Sequence, residues 1–135
     1  MLDCIFCKII RGDIPCEKIY EDEDTFAFLD SKPVNPGHTL VIPKKHSEDI
    51  ISVDEKEWLA VMKTAKKIAH AIEVSLRPAG INIGMNNRAP AGQVVFHAHV
   101  HVMPRSNNDG YELWHGKPYG DGEAAKMKKK VVAAL

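Results

Sequence analysis

Residues 97–104 read His-Ala-His-Val-His-Val-Met-Pro, with an imidazole at every second position from His97 to His101. A β-strand turns successive side chains to opposite faces, so this spacing puts His97, His99 and His101 on one face and Ala98, Val100 and Val102 on the other. The apolar set suits a core. Three polarisable rings in a row on the opposite face point to a site rather than to packing. Two chemistries want such a row. Neutral imidazole is a good divalent-metal ligand, and several of them make an open catalytic zinc site. Imidazole is also a nucleophile and a general acid or base near neutral pH, so one ring can attack phosphorus while its neighbours orient it and donate to phosphate oxygen.

The chain has 135 residues, 44% of them hydrophobic and 27% charged. That is material for one globular core, and residues 1–135 are expected to form one domain. Lys plus Arg and Asp plus Glu both number 18. This balance offers no global field for a polyanionic polymer, so nucleic acid is not an expected partner. No apolar run approaches the ~20 residues of a membrane span, and the Met-Leu-Asp-Cys start lacks the features of a signal peptide. A cytoplasmic protein with no membrane partner is expected. Three cysteines, two of them spaced Cys4-x-x-Cys7, form no even disulfide framework and fit a reducing compartment.

Along the chain, residues 4–10 predict a short helix ended by Gly12 and Pro15. Lys18 to Tyr20 and Thr25 to Leu29 predict a hairpin around the acidic turn Glu21 to Asp24, read as solvated rather than metal-binding. The apolar stretch His38 to Pro43 predicts a central strand. Ser52 with Glu55 reads as a capping box opening a long helix, in which Trp58, Val61, Met62, Ala65, Ile68, Ala69 and Ile72 recur at helical spacing. Arg77 to Gly80 end it, and its His70 reads as a surface residue. Ile81 to Met85 predict a strand, Asn86 to Gly92 a polar loop, and Val94 to Met103 the histidine strand. A basic tail, with Lys126 and Lys128 to Lys130, predicts a terminal helix. The expected fold class is α+β: an antiparallel sheet of about five strands, one long helix and short terminal helices.

The residues before the histidines bear on the ligand. Gly92 lets a ligand approach the backbone closely, Gln93 adds an amide, and backbone N–H groups of such a loop suit phosphate. Asp30, at a strand end, is placed to accept from ribose hydroxyls. The run Gly92-Gln93-Val94-Val95-Phe96-His97-Ala98-His99-Val100-His101-Val102-Met103 resembles the His-φ-His-φ-His-φ-φ motif, with φ apolar, of the histidine triad (HIT) family. Phe6 to Ile10, Ala27-Phe28-Leu29-Asp30 and Gly37 to His46 are similar to its nucleotide-binding (Hint) branch, so the resemblance runs from about residue 3 to residue 105. Residues 106–135 form a tail outside it.

The resemblance implies hydrolysis of nucleoside 5′-phosphoramidates such as adenosine 5′-monophosphoramidate, or of related conjugates, with a purine nucleotide (AMP or GMP type) as ligand. It also implies a homodimer whose two sheets join. His99 corresponds to a nucleophile that becomes transiently nucleotidylated, His101 to the ring on the phosphate, and His97 and His38 to supporting rings. Phe6, Phe28, Asp30, Ser31, Asn86, Gly92, Gln93 and Val94 correspond to nucleotide-binding positions, with Asp30 and Ser31 on the ribose and residues 92–94 as a phosphate loop. A covalent route through His99 requires no metal for the chemistry.

A structural metal is a separate expectation. Some members, chiefly bacterial ones, hold zinc with the Cys pair, the His after the Pro-Lys segment and the first triad histidine. Cys4, Cys7, His46 and His97 match all four, and a closed Cys₂His₂ set leaves no catalytic position. Cys16 is spare, and Trp114 and His115 read as packing and surface residues. One departure concerns turnover: Val94 stands where the branch usually has Ser or Thr, removing a hydroxyl donor beside the phosphate. It keeps open a second reading, a nucleotide-binding or partner-regulating protein with little turnover. A zinc-dependent hydrolase at the triad is a third.

Overall fold

The computed structural model describes residues 3–135. Five strands form one antiparallel sheet: β1 (Lys18–Glu21), β2 (Thr25–Leu29), β3 (Thr39–Pro43), β4 (Gly80–Gly84) and β5 (Val100–Arg105), in the spatial order β1-β2-β3-β5-β4. Helix α1 (Ile5–Arg11) precedes β1, the long helix α2 (Glu55–Leu76) joins β3 to β4, and α3 (Glu123–Ala133) ends the chain. The expected α+β architecture is the one observed, with β3 at the centre of the sheet and all five of its residues buried. Among the described residues no helix is long and apolar enough to cross a membrane.

Period-two alternation divides the apolar side chains between the two faces. Ala27, Val41, Val100 and Val102 meet Val61, Ala65, Ile68 and Ile72 of α2. Phe26, Phe28, Leu40 and Ile42 turn the other way and pack with Phe6 and Ile9 of α1. Val100 and Val102 thus lie on the α2 side while His101 between them faces the α1 side, the partition expected from the sequence.

Two boundaries differ from expectation for identifiable reasons. The paired strand does not run from Val94 to Met103; β5 begins at Val100. Odd-numbered residues of β3 direct their backbone groups toward β5, and the register Thr39↔Val102, Val41↔Val100 would continue at Pro43. Proline has no N–H, so the ladder loses its next donor, and the Ala98 N–H donates instead to the Ser47 carbonyl at 2.7 Å. His97 and His99 therefore lie ahead of the ladder, though still buried. The capping box at Ser52 is replaced by an N-cap at Asp54. Ser52 Oγ accepts from Glu48 N and Asp49 N, and Asp49 accepts from Ile51 N and Ser52 N, so both side chains close a turn upstream of α2. Helix α3 starts at Glu123, before the lysine run.

The acidic turn is structural: Asp22 Oδ1 accepts from Asp24 N, Thr25 N and Thr25 Oγ1, and Glu21 pairs with Lys18 and Lys44 at 2.8 Å each. His70 is exposed on α2, as read. Gly37 ends the loop that delivers β3, at φ +96°, and a Cβ there would stand 2.5 Å from Leu76 Cδ1 and 3.3 Å from Pro104 Cγ. Gly37→Ala is expected to destabilise the fold by about 1 to 3 kcal/mol through backbone strain, measured as a lower urea midpoint with an unchanged m-value.

Candidate active site and metal cluster

Four histidines line up across the α1 side of the sheet. His38 precedes β3, His101 lies in β5, and His99 and His97 lie in the irregular segment before it. Ring centroids are 5.1 Å apart for His38 and His101 and 5.0 Å for His101 and His99. The Phe6 ring stands edge-on to both His99 (5.2 Å) and His97 (5.9 Å), and His46 meets His97 at 5.0 Å. His38, His97 and His99 are buried and His101 half-buried.

Burial disfavours the charged imidazolium, and each ring titrates below its ordinary range for that reason first. His97 and His101 are pushed down to about 4. For His101 the neighbouring His99 and His38 lower it further while Asp30 opposes. For His97 the bond to the Pro43 carbonyl works the other way. His38 and His99 are lowered by burial against the attraction of Asp30.

A neutral imidazole has one donor and one acceptor nitrogen, and its backbone partners decide which is which. The Val34 N–H donates to His38 Nδ1 at 3.0 Å, so that nitrogen carries no proton. His38 Nε2–H then donates to His101 Nδ1 at 2.9 Å, and His101 keeps its own proton on Nε2. His99 Nδ1–H donates to the His97 carbonyl at 2.6 Å, leaving Nε2 with a lone pair. His97 Nε2–H donates to the Pro43 carbonyl at 2.8 Å, leaving Nδ1 free to bind a metal.

A cavity of about 680 Å³ opens beside His38 and His101, walled by Val34, Met85, Asn86, Met103 and Trp114. His99 lies one ring deeper, 6% exposed. Asp30 Oδ1 accepts from Lys32 N at 2.8 Å and Oδ2 stands 3.7 Å from His38 Nε2; Ser31 beside it is exposed. Phe28 and Phe6 are buried and pack edge-to-face at 5.4 Å, forming a wall beneath the histidines.

The glycine loop differs from a free phosphate cradle. Gly92 N and Gln93 N donate to the Ala89 and Arg88 carbonyls. Gln93 is buried, its Oε1 accepting from Arg88 N at 2.6 Å and its Nε2 donating to the Glu48 and Val95 carbonyls at 2.6 and 3.1 Å. Both residues hold the loop together. Gly92 has φ +95°, and a Cβ there would come within 3.3 Å of Asn86 Nδ2, which lines the cavity. Val94 is 84% exposed. Trp114, read from sequence as a packing or surface residue, is exposed yet walls the cavity with Met85 and Met103. None of these three stands in a recognisable motif, so only the fold shows them.

The second cluster is Cys4, Cys7, His46 and His97, whose donor atoms all lie within 4.8 Å of one another. The separations are 3.5 Å for Cys4 Sγ to His97 Nδ1, 3.4 Å for Cys7 Sγ to His46 Nδ1, 3.6 Å for Cys7 Sγ to His97 Nδ1 and 3.3 Å between the two Nδ1 atoms. A zinc tetrahedron with ordinary Zn–S and Zn–N bonds has edges of about 3.3 to 3.8 Å, and these four separations already have that length, with the remaining two within 4.8 Å. The thiols are free, and burial, with the neighbouring Cys4, raises Cys7 above its ordinary value.

The HIT domain family matches residues 11–108. The chain belongs to the HIT family. It is 48% identical over 137 residues to the protein hit of Bacillus subtilis, covering 98% of this chain and 94% of that one. A crystal structure of a HIT family member from the same species superposes with a TM-score of 0.92 at 40% identity, covering 98% of this chain and 97% of that one. An adenosine 5′-monophosphoramidase of Schizosaccharomyces pombe is 39% identical over 117 residues, 87% of this chain and 84% of its own. A zinc-bound histidine triad protein of Mycobacterium smegmatis superposes with a TM-score of 0.77 at 36% identity, covering 99% of this chain and 96% of its own. This HIT protein therefore has relatives in which phosphoramidase activity and bound zinc are named, and its own Cys/His cluster has the dimensions for that metal.

Two outcomes are expected. Protein purified without chelator contains one zinc per chain by elemental analysis, and Cys7→Ser loses it together with thermal stability. The second concerns acid. His101 ionises near 4 in the folded chain and near about 6.5 when unfolded. Between those values the unfolded chain binds more protons, so this contribution is complete above the upper value and lost as pH falls toward the lower. Thermal melts from neutral pH downward should show that decline, and His101→Asn should show a shallower one.

Proposed function

We propose that this chain is a nucleotide hydrolase that cleaves nucleoside 5′-phosphoramidates, or related purine nucleotide conjugates of the AMP or GMP type, through a covalent nucleotidyl-His99. The observation that carries the reading is the His99 Nδ1–H bond to the His97 carbonyl. It holds the proton on the far nitrogen and leaves Nε2 as an unprotonated nucleophile at neutral pH.

In the first step His99 Nε2 attacks the α-phosphorus in line, and the P–N bond to the leaving amine breaks. His101 presents Nε2–H to the phosphoryl oxygens as charge builds in the transition state. The leaving amine takes up a proton from solvent as it departs, and water then attacks phosphorus, returns a proton to solvent, breaks the P–Nε2 bond and leaves the free imidazole with a nucleoside monophosphate. Asp30 and Ser31 are assigned to the ribose, the Phe6–Phe28 wall to the side of the base, and Asn86 with the Gly92 to Val94 loop to the phosphate. Cys4, Cys7, His46 and His97 would hold zinc, which when bound supplies a closed cross-link with no open coordination position.

Two further assignments belong to this reading. A second copy adds along an outer edge of the sheet, β1 or β4, so that the two sheets join in a homodimer. The free thiols fit work in the reducing cytoplasm.

A second reading, nucleotide binding with little turnover, is favoured by one residue. Val94 exposes an apolar side chain at the phosphate loop, where it donates nothing. Intact-protein mass spectrometry after brief mixing with adenosine 5′-phosphoramidate separates the two. Wild type is expected to carry a transient adenylate and release AMP, while His99→Ala shows no adduct and a kcat/KM lower by about 10⁴-fold or more. Val94→Ser is expected to turn over faster. Bound nucleotide without adduct or product in wild type would leave the binding reading.

A further inference from the structure

The metal cluster and the candidate nucleophile share structural parts, although no residue of the cluster is His99 itself. Three connections run between them. His97 is a member of the cluster through Nδ1, and its carbonyl is the acceptor for His99 Nδ1–H at 2.6 Å. The peptide that carries this carbonyl is held at its other end, where the Ala98 N–H donates to the Ser47 carbonyl at 2.7 Å. Ser47 directly follows His46, another member of the cluster. Phe6 lies on the first turn of α1 between Cys4 and Cys7, and its ring stands edge-to-face on His99 at 90° and also meets His97.

We propose that the Cys4/Cys7/His46/His97 cluster, when it holds its metal, is the positioning device for the His99 ring, fixing both its tautomer and its plane. A carbonyl directs the proton of His99 only if the peptide plane cannot rotate, and that plane is set by His97 on one side and Ser47 on the other. Both are chained to ligands. His97 is further immobilised because its Nε2 donates to the Pro43 carbonyl at the point where the ladder between β3 and β5 stops. The plane of the His99 ring is set separately, by the face and edge of Phe6. Two cysteines closing on one ion fix the turn that carries that phenyl ring. His97 and Phe6 are thus positioning residues, and the metal is linked to the nucleophile by one residue of backbone and one ring, without contacting substrate. The far end of the row is independent of it: His38 and His101 take their tautomers from Val34 N.

This inference rests on the reading of His99 as nucleophile, and the experiment keeps the two apart. Ring ¹⁵N spectra are recorded on ¹⁵N-histidine-labelled protein, zinc-loaded and after zinc removal, with folding monitored by the amide spectrum. The same spectra are recorded for zinc-loaded Phe6→Leu, which keeps an apolar side chain of similar bulk. Zinc-loaded wild type is expected to show His99 as a single Nδ1–H tautomer. Zinc removal is expected to move its two nitrogens toward averaged shifts while the His38 and His101 rings keep theirs. Single-turnover formation of the adenylate should slow by about 10- to 100-fold, the range for loss of an outer-sphere orienting contact. Phe6→Leu, with its zinc retained, should shift His99 in the same direction. A folded zinc-free protein with unchanged His99 resonances overturns the proposal. Should zinc removal unfold the chain, unchanged His99 resonances in Phe6→Leu overturn it instead. A His99 ring that responds to zinc in a protein that never forms an adduct would uphold the positioning role and remove the nucleophile assignment alone.

Discussion

An imidazole taken out of water favours its neutral form, and a neutral ring asks its surroundings to accept from one nitrogen and donate to the other. The site rests on meeting that demand for several rings at once. Main-chain groups do most of it: the Pro43 carbonyl for His97, the His97 carbonyl for His99 and the Val34 N–H for His38, which in turn serves His101. Side-chain partners could swing or titrate, whereas peptide groups of a sheet and its adjoining loops do neither. The result is an ordered series of nitrogens in which a lone pair at His99 and a donor at His101 both exist at neutral pH without ionising either ring.

Pro43 connects the sheet to that arrangement. Continued pairing past Val41 would have tied the backbone of residues 97–99 into the ladder and left the His97 ring without the Pro43 carbonyl. Because proline offers no N–H toward β5, the segment leaves the sheet, with bends at residues 95–97. Its amide at Ala98 turns to Ser47, its carbonyl at residue 97 turns to His99, and the freed Pro43 carbonyl takes the His97 ring. An imino acid at a strand end thereby converts ladder positions into site positions. The same departure brings the His97 ring against His46, Cys4 and Cys7, so the cluster and the triad grow from one local break.

The architecture and the face on which the histidines lie were readable from residue types, because period-two alternation in 97–103 and helical spacing in 58–72 each leave few options. The cluster partners were readable only through resemblance, since Cys4, Cys7 and His46 are far from His97 in sequence and nothing local joins them. What could not be read were choices made by competing hydrogen bonds. Ser52 and Glu55 have capping-box spacing, yet the Ser52 hydroxyl is engaged upstream with Glu48 and Asp49, so the helix starts at Asp54. Gln93 stands where a phosphate contact is expected, yet its amide finds three backbone partners. Trp114 joins the cavity wall through the path of the tail after β5, which residues 106–113 do not advertise.

The occupied loop amides change how phosphate charge can be handled. With Gly92 N and Gln93 N bound to Ala89 and Arg88, donation from this loop is left to the amides after Gln93, and the neutral His38 and His101 are the imidazoles at the cavity wall. A neutral donor attracts a ground-state phosphate weakly and gains most where negative charge accumulates, in the phosphorane-like transition state. Arg88, the cation of the same loop, stands 3.5 Å from Asp49. Under the proposed function, a site built from uncharged imidazoles would bind its phosphate modestly and reserve its interactions for the bond-making step. In such a site one additional hydroxyl at position 94 would act on the transition state more than on the bound nucleotide, because it adds a donor beside amides of which two, Gly92 N and Gln93 N, are engaged.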